Sequence, residues 1–357
     1  MKTETRKAAT PIGDAEIIRL TNDHGAWVEL SSLGAGIVGL GVPDRKGVIE
    51  NVALCYADPA AYYEDGPCMG KVPGRYANRI AKGHFTLDGN EYTLAVNNGP
   101  NALHGGPTGF QNRLWEVRHL PNGVRFSYVS EDGEEGYPGK LSVTADYIWS
   151  ENDVLDLYLR AVTDKETVVN LTNHCYWNLR GATSGSVLDH TLKLKASRYL
   201  PTDDTLIPTG NLDLVEGTPM DFCSTETNEM TSGKPLGHDI KADFPALKYG
   251  KGYDNCWVID GWENGMFTPD AAVLEDPFSG RCLSIGTTQP GVQVYTGNWL
   301  EGCPEGPDGH RYHDYDGVAI ECQGFPDAPN RPTFPSQTLN PFGVYDQHIR
   351  FAFSVRP

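Results

Sequence analysis

Residues 140–163 read KLSVTADYIWSENDVLDLYLRAVT and hold two segments in which apolar and polar residues alternate. Alternation with a period of two is typical of β-strands that have one buried face. Residues 150–153, Ser-Glu-Asn-Asp, lie between the two segments and predict a hairpin connection. This stretch therefore predicts two neighbouring antiparallel strands.

The same pattern recurs along most of the chain, with short alternating segments at 14–41, 124–129, 191–196 and 349–355. Asp88-Gly89-Asn90 predicts a further hairpin, Asp58-Pro59 one helical turn, and residues 201–250 long loops over one end of the sheets. No segment keeps a period of 3.6 residues, and no β-α-β alternation occurs. The 357 residues therefore predict one all-β domain over 1–357, a large antiparallel β-sandwich.

The composition narrows the classes of partner. The formal net charge is −18, from 29 basic and 47 acidic residues, which argues against nucleic acid and anionic membranes as partners. The eight cysteines form no C-x-x-C pair, and no apolar run approaches the length of a membrane span. We therefore expect a reduced, soluble, cytoplasmic protein, as a monomer or weak dimer.

Residues 170–179 read NLTNHCYWNL and follow two valines, which predicts another strand. One face of that strand would be mostly apolar, with Val169, Leu171, Asn173, Cys175 and Trp177. The other face would carry Asn170, Thr172, His174, Tyr176 and Asn178. A half-solvated outer strand is one interpretation, but an amide-rich face around one histidine favours the floor of a polar ligand cleft.

A carboxylate on an apolar strand is the second candidate for chemistry. Residues 318–323 read VAIECQ, and alternation places Glu321 on the face opposite Val318 and Ile320. Burying a carboxylate is costly unless it is paired or has a function. Glu321 is therefore the acid that most strongly suggests a functional role.

Five further polar residues are weaker candidates: Asn78, Arg79, His104, Asp254 and Gln293. A surface arginine, an ordinary loop histidine and an Asx-turn cap are the plain alternatives for Arg79, His104 and Asp254. Together with His174, Glu321 and the aromatic residues, they are the types that bind sugar hydroxyls and stack on sugar rings. A histidine and a glutamate can serve as acid and base without a cofactor.

Metal and phosphate sites are not predicted. His310 and His313 have a spacing seen in metal sites, but they lie in a charged, Gly-rich loop without further ligands nearby, which favours solvent exposure. No Gly-rich phosphate loop is present.

The chain resembles the aldose 1-epimerases, or galactose mutarotases, in a series of motifs that follow the family's order. The matching segments are GRYANRI (74–80), NGPNALHGG (98–106), NLTNHCYWNL (170–179), TPMDF (218–222), GYD (252–254), ECQ (321–323) and PDAPNRPTFPS (326–336). In the last segment Arg331 stands where the family often has histidine, and Pro341-Phe-Gly replaces a frequent Pro-Gly-Glu.

The resemblance implies a β-sandwich of the supersandwich, galactose mutarotase-like type that interconverts hexose anomers without a cofactor or metal. By motif, His174 resembles the general acid at the ring oxygen and Glu321 the general base at the C1 hydroxyl. The residues expected to bind hydroxyls are Asn78, Arg79, Tyr176, Asp254, Gln293 and His104, of which His104 would assist at the ring oxygen.

Three other functions stay open at this point. A hexose-6-phosphate epimerase would need a basic cluster near the motifs, and a sugar-binding module would bind without turnover. A glycoside hydrolase would need a pair of carboxylates, for which Glu321 and Asp254 could be proposed.

Overall fold

The computed structural model describes residues 1–223, 227–228 and 231–356. In chain order, its first strands are β1 Lys2–Thr10, β2 Gly13–Thr21, β3 Trp27–Ser31, β4 Gly36–Pro43, β5 Ile49–Asn51, β6 Arg79–Ile80, β7 His84–Leu87, β8 Asn90–Thr93, β9 Ala102–Leu103, β10 Glu116–Leu120, β11 Gly123–Ser130, β12 Leu141–Trp149, β13 Val154–Thr163 and β14 Thr167–Val168.

The later elements are β15 Tyr176–Trp177, β16 Thr191–Leu194, β17 Arg198–Tyr199, β18 Asp213–Leu214, β19 Thr227–Asn228, β20 Thr231–Ser232, β21 Lys234–Pro235, α1 Pro245–Gly250, β22 Asp254–Val258, β23 Thr268–Glu275, β24 Arg281–Thr287, β25 Gly291–Tyr295, β26 Val318–Gln323, β27 Thr338–Leu339 and β28 Tyr345–Val355. Short 3₁₀ turns occupy Pro59–Tyr62, Ala81–Gly83, Phe110–Asn112, Glu134–Gly136, Pro307–Gly309 and Ala328–Asn330.

Three large antiparallel sheets hold most of the described strands, and four two-stranded sheets hold the others. The largest has nine strands in the order β10-β11-β12-β13-β28-β24-β23-β16-β21, and a six-stranded sheet follows β15-β26-β25-β22-β17-β18. β1 to β5 form a five-stranded meander. Leu157 of the first sheet, Ile320 of the second and Val28 of the third belong to one buried hydrophobic cluster. The sheets therefore pack face to face, which confirms the antiparallel all-β sandwich.

The hairpin at 140–163 is confirmed, with β12 and β13 in register from Leu141 opposite Thr163 to Trp149 opposite Leu155. The hairpin of β7 and β8 is also confirmed. At the predicted helical turn, Asp58 accepts a hydrogen bond from the Ala60 N–H at 2.9 Å. The pattern at these places is local, so a single stretch of sequence was enough to predict them.

The prediction of long loops over 201–250 missed the helix α1 and several two-residue strands, and part of that stretch lies outside the described residues. β1, β10 and β23 were not predicted either. β1 is exposed over most of its length, and β10 is largely exposed too. Strands that bury no regular face carry no alternation to detect.

The prediction of a strand over 170–179 is wrong, because most of this backbone is not paired as a strand. Only Tyr176–Trp177 forms a strand there, paired with β26, and Asn170 makes an isolated bridge with Tyr76. Upstream, the backbone hydrogen bonds go to the loop at 70–77, including His174 N–H to Lys71 C=O at 2.9 Å. Asn170 and Asn173 also bind neighbouring main chain through their side chains, which replaces the missing strand.

The predicted sidedness of this segment is confirmed in part, because Asn170, Thr172 and Asn178 are fully buried and do not line the cavity. Val169, Leu171, Cys175 and Trp177 lie in the main hydrophobic cluster. His174 and Tyr176 line a cavity on the other side.

No helix in the described ranges is long and apolar enough to cross a membrane. All eight cysteines are free thiols, and six of them are buried.

Candidate active site

A cavity of about 970 Å³ opens beside the six-stranded sheet. Seven of the eight predicted site residues line it, and the eighth, Gln293, contacts one of them. The seven are Asn78, Arg79, His104, His174, Tyr176, Asp254 and Glu321. The structure therefore brings together residues that are separated by up to 243 positions along the chain, from Asn78 to Glu321.

The register of the six-stranded sheet creates the polar floor of the cavity. Cys256 pairs with Gln293, and Gln293 pairs with Glu321, so these three side chains share one face. Tyr176 pairs with Ala319, and continuing that register by two residues sets His174 opposite Glu321. The intervening residues of β25 and β26 point into the hydrophobic core.

His174 and Glu321 lie close together and are almost completely buried. The distance from His174 Nε2 to Glu321 Oε1 is 3.5 Å. Neither His174 Nδ1 nor Glu321 Oε2 has a hydrogen-bond partner among the described residues. Because buried polar atoms are normally paired, these free atoms at the cavity indicate a site that is completed by a polar ligand.

Burial sets the protonation of this pair. It raises the pKa of Glu321 well above its ordinary value; the nearby Asp254 carboxylate adds to the rise, and Arg79 opposes it. Burial also lowers the pKa of His174 to about 4. Both shifts favour the uncharged forms, because a charged group loses its hydration in this cavity.

The second histidine, His104, stands perpendicular to His174 with 5.2 Å between the ring centres. Its Nδ1 accepts a hydrogen bond from the Asn78 N–H at 3.1 Å. Nδ1 is therefore unprotonated, and the neutral ring carries its proton on Nε2. Burial, with His174 and Arg79 contributing, holds the pKa of His104 well below its ordinary value. His104 is thus a neutral hydrogen-bond donor.

Arg79, Asp254 and Gln293 form a hydrogen-bonded group beside the pair. Gln293 Nε2 donates to Asp254 Oδ1 at 2.7 Å, and Arg79 Nη2 lies 3.5 Å from Asp254 Oδ2. Arg79 Nε donates to Asn98 Oδ1 at 3.1 Å. Arg79 is 8% exposed, so the plain alternative of a surface arginine is wrong. These contacts hold a guanidinium and a carboxyl group side by side at the cavity.

Two tyrosines complete one wall. The ring of Tyr176 lies 5.0 Å from that of His174, and its hydroxyl donates to the Pro67 C=O at 2.9 Å. Tyr295, which the sequence did not single out, lies 6.3 Å from the His174 ring. Its position two residues after Gln293 on the same strand was the signal that could have identified it.

The lining is acidic. Among its described residues, Arg79 is the only lysine or arginine, whereas the acids are Glu64, Asp65, Asp204, Asp254, Glu301 and Glu321. No group of three or more His, Cys, Asp or Glu with the arrangement of a metal site occurs in the described ranges. His313 is exposed and His310 is half-buried, and neither lines the cavity.

The family model described as aldose 1-epimerase matches residues 16–352. The chain belongs to the aldose 1-epimerase family. Among its relatives, the galactose mutarotase of Bos taurus is 43% identical over 343 residues, which cover 96% of this chain and 95% of the relative. The aldose 1-epimerase of Escherichia coli K12 is 35% identical over 356 residues, or 99% of each chain.

The structure of an aldose epimerase homologue from C. elegans superposes with a TM-score of 0.85 at 30% identity, covering 99% of this chain and 100% of that one. The architecture over the whole described chain is therefore that of the aldose epimerase family.

Proposed function

We propose that the protein is an aldose 1-epimerase that interconverts the α and β anomers of hexoses such as galactose and glucose. The observation that supports this most directly is the 3.5 Å separation of His174 Nε2 and Glu321 Oε1 at a cavity floor. In a cyclic sugar the ring oxygen and the C1 hydroxyl are bonded to the same carbon. An acid and a base this close together can therefore reach both oxygens.

In the proposed reaction, the Glu321 carboxylate accepts the proton of the C1 hydroxyl while the His174 imidazolium donates its proton to the ring oxygen. The bond from C1 to the ring oxygen breaks, and C1 becomes an aldehyde carbon. Rotation about the C1–C2 bond turns the other carbonyl face toward the C5 hydroxyl. The two proton transfers then run in reverse and close the ring.

The pKa shifts support this direction of proton movement. Ring opening converts a charged pair, imidazolium and carboxylate, into a neutral pair. Burial lowers the pKa of His174 and raises that of Glu321, so it favours the neutral pair that ring opening produces. A bound sugar would stabilise the charged pair beforehand, since its C1 hydroxyl donates to the carboxylate and its ring oxygen accepts from the imidazolium.

The remaining residues would orient the sugar. Arg79, Asp254 and Gln293 form the group that would bind ring hydroxyls, and Asn78 and Tyr176 line the same cavity. His104, a neutral Nε2–H donor, would assist at the ring oxygen. The acidic lining supports a neutral aldose and disfavours a hexose phosphate, because a phosphate dianion would face carboxylates with one arginine to offset them.

We also infer that the enzyme acts in the cytoplasm without a cofactor or nucleic acid partner, as a single domain and as a monomer or weak dimer. The eight free thiols support a reducing compartment, and the charge of −18 opposes binding to nucleic acid. Size-exclusion chromatography with light scattering would test the oligomeric state.

Polarimetry tests the activity. The optical rotation of freshly dissolved α-D-galactose or α-D-glucose should reach its equilibrium value faster with the protein than in buffer alone. A rate equal to that in buffer would refute the proposal. Glu321→Gln keeps the size of the side chain but removes the base, so it should retain sugar binding and lower kcat by about 10²- to 10⁴-fold. An unchanged kcat would remove Glu321 as the base.

A further inference from the structure

A completely buried ion pair lies behind the cavity wall. Lys71 Nζ contacts Asp65 Oδ1, and both side chains are inaccessible to solvent. Lys71 Nζ also donates to the Tyr62 C=O at 2.5 Å and to Asn112 Oδ1 at 3.2 Å. One carboxylate and two hydrogen-bond acceptors therefore surround the ammonium group.

The carboxylate end of the pair fixes the cavity wall. Asp65 Oδ2 accepts hydrogen bonds from the Met69 N–H at 2.8 Å and from the Tyr56 hydroxyl at 3.0 Å. Asp65 and Pro67 both line the cavity, and the Pro67 carbonyl accepts the hydrogen bond of Tyr176. Asp65 thus ties the segment that supports Tyr176 to the lysine.

The lysine end holds the main chain of His174. The His174 N–H donates to the Lys71 C=O at 2.9 Å, and the Gly70 N–H donates to the His174 C=O at 2.9 Å. The stem of Lys71 fills the space beside Gly34, where an added Cβ would lie 2.8 Å from its Cδ. Because both ends of Lys71 are fixed, its main chain gives His174 a rigid support.

We propose that the Lys71–Asp65 ion pair is a positioning device that holds His174 at its working distance from Glu321. This role rests on the proposed function, because it assigns His174 to catalysis. Stability alone is a weak reason for such a pair, since well-packed apolar residues of similar volume often stabilise a core as well or better. The Lys71–Asp65 pair joins the cavity wall to the main chain that holds His174, so its role is to position His174.

The charge of Lys71 also reaches the catalytic ring. Burial is the main cause of the low pKa of His174, and the Lys71 cation acts in the same direction. The other titratable groups that face His174 are Glu321, His104, Tyr176 and Tyr295. Removal of the ion pair should therefore raise the pH at which His174 titrates.

The double variant Lys71→Met/Asp65→Asn tests the proposal, because it removes both charges and leaves no unpaired buried ion. We expect kcat for α-D-galactose to fall by about tenfold or more, with a smaller change in KM. The NMR titration of the His174 imidazole, assigned with His174→Asn, should move to higher pH. Asp65→Asn alone leaves Lys71 as a buried cation without its carboxylate, so it should lose more thermal stability than the double variant. Its kcat per folded molecule should fall in the same direction.

A matched control is Arg125→Met/Asp146→Asn, which removes an ion pair of the nine-stranded sheet that does not line the cavity. It should change thermal stability without changing kcat or the His174 titration. If both double variants lost kcat only in proportion to their unfolded fraction, and neither moved the His174 titration, the proposal would be overturned. The NMR titration needs no turnover, so it shows whether the pair acts on the His174 ring even if the wild-type protein fails the polarimetric test. A titration shift without mutarotase activity would refute the proposed function and leave only the electrostatic contact between Lys71 and His174.

Discussion

β13 and the segment 169–177 both alternate between apolar and polar residues, yet they fold differently. β13 pairs over nine of its ten residues with β12 and over eight residues with β28, and it buries Leu155, Leu157 and Leu159. The segment 169–177 buries its apolar side equally well, but only its last two residues pair with a strand. The two regions share a side-chain pattern and differ in where their backbone hydrogen bonds go.

This difference explains where a site can form. The backbone of β13 is satisfied by two strands, and none of its residues lines the cavity. In the segment 169–177 the backbone of Asn170 and His174 bonds to the loop at 70–77, which is followed by the cavity residues Asn78 and Arg79. Irregular backbone at this position is thus the means by which distant polar residues reach His174.

The substitution with the largest expected effect on catalysis in the segment 169–177 is His174→Asn. We expect kcat to fall by about 10²- to 10⁴-fold because the general acid is lost. Stability should change little, since the buried Nδ1 of His174 makes no hydrogen bond within the described residues. Polarimetry with thermal unfolding on the same sample separates the two quantities. A variant that loses kcat only in proportion to its unfolded fraction would contradict the catalytic role.

In β13 the corresponding test is Leu157→Ala, which should change stability and leave activity unchanged. Leu157 is fully buried, so the cavity left by this truncation should lower the free energy of unfolding by about 2–5 kcal/mol. The kcat of the folded fraction should stay at the wild-type value, as urea denaturation and polarimetry would show. A large loss of kcat at full folding would mean that the two regions are not separate in function.

Asn170→Ala should lower both kcat and the free energy of unfolding. The Asn170 side chain donates to the carbonyls of Ala77 and Gly324 and accepts from the Gly324 N–H. Its loss leaves buried main-chain groups unpaired, which we expect to cost about 1–3 kcal/mol of unfolding free energy and to lower kcat as well. Asn152→Ala, at an exposed hairpin turn, is the control and should change stability by less than about 0.5 kcal/mol.

The pH dependence of the wild-type enzyme tests the protonation of the pair. Burial lowers the pKa of His174 to about 4 and raises that of Glu321. Below about pH 4 the imidazole gains a proton while Glu321 keeps its own, so no base remains. We therefore expect kcat/KM to fall about tenfold per pH unit there. An acid limb near 6.5, the ordinary value for histidine, would contradict the burial effect; circular dichroism must show that the enzyme stays folded.

Tyr176→Phe should have the smallest effect. It removes the hydrogen bond to the Pro67 carbonyl, which we expect to cost about 1 kcal/mol of stability, and it keeps the ring that contacts His174. The kcat should fall by less than in His174→Asn. A loss as large as that of His174→Asn would show that the hydroxyl itself takes part in the reaction.

Much of the fold could be predicted because it follows from local patterns. The alternation of β12 and β13 and the Asp88-Gly89 turn each act over a few residues, so they are readable without the rest of the chain. β1 could not be predicted, since most of its residues are exposed and nothing sets a burial period. The backbone of 169–177 could not be predicted either, because its partners lie about a hundred residues away.

Part of the site was also predictable, because local sequence patterns mark several of its residues. Alternation gave the faces of His174, Tyr176, Glu321 and Gln293. Asn78, Arg79, His104 and Asp254 were weaker candidates from their local sequence, and the family motifs gave them roles. Lys71 and Asp65 were missed, because a lysine and an aspartate six positions apart carry no pattern that predicts burial. Their role depends on the fold of three loops around them.

The alternation along β26 makes the protein sensitive to chain length at one place in particular. Glu321 faces the cavity, while Ile320 and Cys322 lie in the core. A single inserted residue before Glu321 would send the carboxylate into the core and a hydrophobic side chain into the cavity. Length variation among descendants of this sequence should therefore be tolerated in exposed turns such as 88–90, which do not line the cavity, and excluded from β25 and β26.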